Sequence, residues 1–166
     1  MNKNLKSFLL LLMSVVRLIL PTTAMAAELP QLPTIKATEY SFLEAAEQHI
    51  FNRMNELRQN PTSFGVTIHP AAPPLVYSTV ARDTARYKSL YMAAYDDFSH
   101  EYTKGPNTGG SKRLFASNWW GENIASYGVS LATPEQSGEQ LFQQWLNSPG
   151  HLANMMNPNF TFVGVG

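Results

Sequence analysis

Four histidines and no cysteine make imidazoles and carboxylates the first candidates for metal or acid–base chemistry in this chain. His100 follows Asp96-Asp97-Phe98-Ser99 at the mouth of a polar stretch, with Glu101 beside it. His151 follows Ser148-Pro149-Gly150, just after a tryptophan-bearing segment. Their separation is nothing like the i, i+4 spacing of a helical zinc motif, so spacing by itself does not join them. His49, among Glu47, Gln48 and Arg53, is expected at a solvated helix edge, and His69 sits in a proline-rich loop without an acidic neighbour. Glu122 lies in Trp119-Trp120-Gly121-Glu122-Asn123-Ile124, next to two indoles and a β-branched residue. A carboxylate so placed is expected to be partly buried, and a buried acid has to be hydrogen-bonded, paired or coordinated. Glu122 is therefore either a structural anchor for backbone N–H groups or one member of a site with a histidine.

Several chemistries are excluded. Without cysteine there is no disulfide, thiolate zinc site, catalytic thiol or lipidated cysteine. No Gly-x-Ser-x-Gly nucleophile elbow, Gly-x-Gly-x-x-Gly fingerprint or Walker loop occurs. Lys and Arg total 12 against 12 Asp and Glu, with no basic stripe, so electrostatic binding of nucleic acid has no support. A 44% hydrophobic content is that of a folding domain.

The elements that must position these residues begin after a leader. Lys3 and Lys6 precede an apolar run over 8–20 that is interrupted by Ser14 and Arg17. Pro21 breaks the run, and Ala24-Met25-Ala26 supplies a small-x-small cleavage pattern, so residues 1–26 read as a signal peptide. The run is shorter than the ~20 apolar residues of a spanning helix, and no transmembrane segment is expected once it is removed. Residues 27–40, with Pro30 and Pro33, read as a linker, and residues 41–166 as one domain.

Ser41-Phe42-Leu43-Glu44 has capping-box spacing, and Leu43, Ala46, Ile50, Met54 and Leu57 share a face, predicting a helix over about 42–59. Residues 60–74 carry four prolines and read as a loop. A second helix is predicted over 78–94, with Val80, Thr84, Tyr87, Tyr91 and Ala94 as its less polar stripe. The polar stretch 96–118, rich in turn residues, reads as a site wall. Thr133-Pro134-Glu135 opens a helix that buries Leu141, Phe142, Trp145 and Leu146 and ends near 147–150. The segment 160–165 alternates like a strand.

Taken in order, several of these segments resemble the CAP superfamily, the SCP-like domain of cysteine-rich secretory and pathogenesis-related proteins, in its cysteine-free bacterial branch. The matching elements are Asn55-Glu56-Leu57-Arg58, Leu75-Val76-Tyr77 with Ala81 and Met92, Phe98-Ser99-His100, Gly121-Glu122-Asn123-Ile124-Ala125, Trp145 through His151 with Asn154, and Val163-Gly164-Val165-Gly166. The resemblance implies an α+β fold, an α-β-α sandwich with a central antiparallel sheet. It also implies strands beyond Gly166, so the domain is expected to lack its last C-terminal strands. A cavity of two histidines and two acids is implied as well, and His100, Glu122 and His151 match three of its positions. Two imidazoles facing a carboxylate suit Zn²⁺ or a similar cation on His100 and His151, with water completing the shell. At the fourth position relatives carry an acid where this chain has Lys104, whose charge would repel a cation, and Glu101 is the steric substitute.

The functional expectation is an exported, periplasmic or extracellular binding module rather than an enzyme. Its cavity would hold a divalent metal or a small or lipid ligand, and the resemblance implies lipid, sterol, peptide or polysaccharide partners. Trp119, Trp120, Tyr102 and Tyr127 are candidate groove aromatics. Two other readings stand beside it: a structural or interaction domain with a vestigial cavity, and a metal-assisted, peptidase-like hydrolase with Glu122 or Glu101 as base.

Overall fold

Sequence periodicity places four apolar segments, and the computed structural model packs them around a mixed four-stranded sheet. It describes residues 9–16, 37–101, 103–104, 120–128 and 133–166, with backbone only for 9–16 and 37–39. In chain order the elements are β1 (Leu9–Val16), α1 (Ala37–Gln59), a 3-10 turn (Pro61–Phe64), β2 (Val76–Tyr77), α2 (Thr79–Tyr95), β3 (Trp120–Tyr127), α3 (Pro134–Leu146), α4 (Pro149–Met156) and β4 (Phe162–Val165). The fold is α+β. Strand order is β2-β4-β1-β3. β1 runs antiparallel to both β3 and β4, whereas β2 joins β4 in parallel. The expected antiparallel sheet is thus mixed at its β2 edge, where Val76 and Tyr77 form a short strand just after Leu75 and ahead of the helix. Leu75 is drawn there by Asn55, whose amide bonds both its N–H and its carbonyl at 2.7 and 3.0 Å.

Alternation along β3 and β4 sends side chains to two different helical partners. Ala125, Val163 and Val165 join Ile50, Met54 and Leu57 of α1, Leu141, Phe142 and Trp145 of α3, and Leu152, Met155 and Met156 of α4 in the main core. Ile124 points the other way, onto Ala85 and Met92 of α2. Gly164 and Gly166 also meet α2, at Arg82 and Arg86.

Three local expectations are corrected. α1 starts at Ala37, so Ser41 lies inside the helix rather than at its cap. Glu44 instead reaches Arg86 of α2 at 3.4 Å, and Arg86 also binds the buried Glu47 at 2.5 Å and the Tyr40 hydroxyl. Tertiary ion pairing here outcompetes a local cap. In α2, Ser78 caps the helix through its bond to Ala81 N–H. Of the expected stripe, Tyr87 and Tyr91 are buried, but the buried face also takes in Ala81, Ala85, Lys88, Ser89 and Met92, and Val80 is 58% exposed. The small Ala81 and Ala85 allow the sheet backbone to approach, which a stripe read from residue size cannot show. Finally, residues 147–150 do not simply end a helix. Ser148 and Pro149 start a new one, α4, because proline at the first helical position loses nothing by lacking its N–H.

Candidate functional site at the edge of strand β3

Among the described residues β3 is an edge strand, so groups from the two helical layers can meet around it. Glu122 has the parity of Ile124 and faces the α2 side. It is buried, and its Oε1 lies 2.8 Å from Nδ1 of His100, whose side chain is 55% exposed. A carboxylate on Nδ1 holds that nitrogen as the donor and leaves Nε2 as the lone-pair nitrogen. The sequence left Glu122 open between anchor and site member, and the structure pairs it with a histidine.

His100 is aimed by a loop built around one buried acid. α2 ends at Asp96 in the left-handed region, φ 50°. Asp97 then accepts the N–H groups of Thr103 (2.6 Å) and Lys104 (2.9 Å) and the Thr103 hydroxyl. Burial pushes the Asp97 carboxyl up, but these hydrogen bonds outweigh it and hold the group below the usual carboxylate range. From α2, Tyr91 donates to the Lys104 carbonyl and Lys88 donates to the His100 carbonyl at 3.3 Å.

His151 arrives from the other layer, on the first turn of α4. Asn123 donates to its carbonyl at 3.0 Å, and Asn154 bonds the Asn123 side chain (3.0 Å) and the Glu122 carbonyl (3.4 Å), locking α4 to β3. Nδ1 of His151 is buried and has no hydrogen-bond partner among the described residues. Burial, and then the charge of His100, hold its imidazole below the usual histidine range. A histidine whose folded pKa lies below its unfolded value of ~6.5 contributes stability that is present above 6.5 and lost as pH falls through the folded value. Thermal midpoints measured between pH 7 and pH 5 should therefore fall for the parent chain. His151→Gln should flatten the part of that slope lying just below pH 6.5, and an unchanged slope would show that His151 is not buried as described.

Lys104 does not act as its position in the motif suggested. Its ammonium donates to the Asp96 carbonyl and pairs with the Asp96 carboxylate at 3.8 Å, in an exposed position. The cation that does face the site is Lys88, fully buried in α2. Burial lowers its pKa, opposed by Glu122, Asp97 and Glu101 in that order. Lys88 was missed by sequence reasoning: it falls in register with Ala81, Ala85 and Met92, but a lysine there reads as exposed. Glu101 is exposed on the same loop, its N–H capped by the Ser99 hydroxyl at 3.1 Å. Tyr102, Trp119 and most of the predicted site wall lie outside the described residues. Trp120 is half-buried on β3, and Tyr127 packs against the main core.

The other two histidines stay apart. His49 meets Glu139 at 2.8 Å, and Arg53 binds the same carboxylate at 3.0 Å, tying α1 to α3. His69 lines a shallow depression with Gln59, Thr67 and Pro70.

A buried acid on one histidine, an asparagine pair joining β3 to α4 and a second histidine at a proline-started helix make a combination that comparison can test. Residues 51–166 match the model of the cysteine-rich secretory protein family, CAP. The chain belongs to that family. It is also similar to the uncharacterized protein YkwD of Bacillus subtilis (strain 168), 32% identical over 93 residues. That match covers 56% of this chain and 34% of the relative, so the chain spans about a third of the relative's length. No solved structure matches. The family match takes in every one of His100, Glu101, Glu122 and His151.

His100 and His151 are near enough for the charge of one to act on the other. Among the described residues, no group of three or more His, Cys, Asp or Glu side chains is arranged to hold a metal. The donor set fits a cation shared with water or with a ligand's own donors rather than a closed four-ligand structural site.

Proposed function

We propose that this protein is an exported CAP-family binding module whose His100–Glu122–His151 edge takes a divalent cation such as Zn²⁺. The observation that carries this is the Glu122 carboxylate on Nδ1 of His100, the orientation device that metal-binding histidines commonly use. The unpartnered, buried Nδ1 of His151 supports it, since a lone imidazole nitrogen without a hydrogen bond is costly unless something binds it. His100 and His151 are the proposed ligands, Glu122 orients His100, and Glu101 is a carboxylate within the same loop. Non-catalytic binding is favoured over hydrolysis because Glu122, the natural general base, is committed to His100. The finer fold reading is a three-layer α-β-α sandwich, with α2 on one face of the sheet and α1, α3 and α4 on the other. Residues 1–26 act as the export leader, towards a periplasm or the cell exterior. The ligand completing the cation's shell would be a small or lipid molecule, or a peptide or polysaccharide end bearing an oxygen donor.

Calorimetric titration of Zn²⁺ into the full chain tests the reading. Saturable binding at about micromolar strength is expected, lost in His100→Ala and in His151→Ala. Glu122→Gln should weaken it roughly 10- to 100-fold, the usual cost of losing a ligand's orienting partner. A folded parent chain that gives no saturable heat would sink the metal reading.

A further inference from the structure

The same segment that reads as a removable leader forms the interior strand of the sheet. Leu9–Val16 pairs along its whole length with Trp120–Tyr127 and, over residues 13–16, with Phe162–Val165. β3 and β4 do not touch each other in this order; β1 is what joins them. Without it they would stand two strand spacings apart, about 9.6 Å, too far for any hydrogen bond between them. With β1 in place, residues 121–125 of β3 and 163–165 of β4 are buried. Removing β1 would open two strand edges whose unpaired N–H and C=O groups are a template for another extended segment.

The composition of the segment fits the slot. Leu-Leu-Leu-Leu-Met-Ser-Val-Val is apolar at both parities, as a strand covered on both faces has to be. It ends in two β-branched residues, and α2 lies along it. Ser14, which interrupts the apolar run, stands opposite Glu122 and Gly164 in the register.

We propose that the gap between β3 and β4 is a strand-acceptor site, filled in the full chain by its own Leu9–Val16. Leader removal and sheet completion are thereby coupled, because cutting away residues 1–26 empties the slot. An emptied slot takes back an extended apolar peptide, and the leader sequence is the one it fits in register.

The test uses the full chain with a specific protease site placed within residues 27–36, cut after folding. Size-exclusion chromatography with mass detection then asks whether fragment and body stay together, and hydrogen exchange is read at residues 121–127 and 162–165. The expected result is co-elution with protection retained in both strands. Release of the fragment with protection lost, then restored by adding a peptide of residues 7–18, also supports the proposal. In the uncut chain, Met13→Pro removes a paired N–H between Asn123 and Val165 and should speed exchange in those strands at least roughly tenfold. Release with protection unchanged, lost protection that the peptide does not restore, or a Met13→Pro chain that exchanges like the parent would each overturn it. None of these readouts depends on zinc, so they are independent of the cation site.

Discussion

Gly164→Ala is expected to destabilise the protein by at least about 3 kcal/mol, although it adds one methyl group. A Cβ at Gly164 would lie 1.9 Å from the Arg82 nitrogen, 2.2 Å from the Ala81 carbonyl carbon and 2.6 Å from the Arg82 Cα. All three are backbone atoms, so no side chain can swing away to make room. α2 would have to lift off the sheet, and with it Lys88 and the loop that aims His100. The thermal midpoint should drop by roughly 10 °C or more. Gly150→Ala is the control: no heavy atom lies within 4 Å of its added Cβ, and it sits in the first turn of α4. There alanine should be neutral or slightly stabilising, because it restricts the unfolded chain. Equal midpoints for the two variants would contradict the contact between α2 and β4.

Arg58→Met should cost about 3–5 kcal/mol, the range for removing one side of a buried charged network. Arg58 is fully buried, and burial lowers its pKa to about 10. No carboxylate pairs with it in the bonds described. Its guanidinium instead donates to the carbonyls of Pro73 (2.6 Å), Met155 (2.7 Å), Asn157 (2.9 Å) and Phe160 (3.3 Å). One side chain on α1 thus gathers the loop before β2, the end of α4 and the approach to β4. Methionine fills much of the volume but leaves four carbonyls, those of Met155 and Phe160 in buried bonds, without these donors. Arg58→Lys should recover only part of the loss, since a single ammonium cannot reproduce the planar fork that reaches all three segments. Urea unfolding of the three chains checks this, and Arg58→Met unfolding at the parent midpoint would show that the carbonyls find other partners.

Local signals were legible where their cause is local. Thr133 caps its helix as read, because a hydroxyl and the N–H group it serves lie within three residues. The core stripe of α1 is buried through Ala46, Ile50, Met54 and Leu57, as its periodicity predicts. α1's early start was not legible, since it depends on Arg86 from another helix gathering Tyr40, Glu44 and Glu47. Nor was Lys88, because a lysine in an apolar register reads as exposed until its partners are known. The strand role of Leu9–Val16 was hidden for a related reason: the apolarity that suits export also suits a strand covered on both faces.

By itself the sequence pointed to the family through an ordered set of motifs, to three helices and the last strand, and to the candidate groups His100, Glu101, Glu122 and His151. The helices and that strand follow from residue type and from spacing within a turn or two of chain, whereas the candidate groups were joined by the resemblance. Tertiary structure alone decided that Glu122 meets His100 across 22 residues, that Asn123 and Asn154 brace His151 beside them, and that Lys88 rather than Lys104 faces the acid. Each of those outcomes depends on which layers close over the edge of β3, and the burial and backbone pairing that fix such an edge come from segments far apart in the chain.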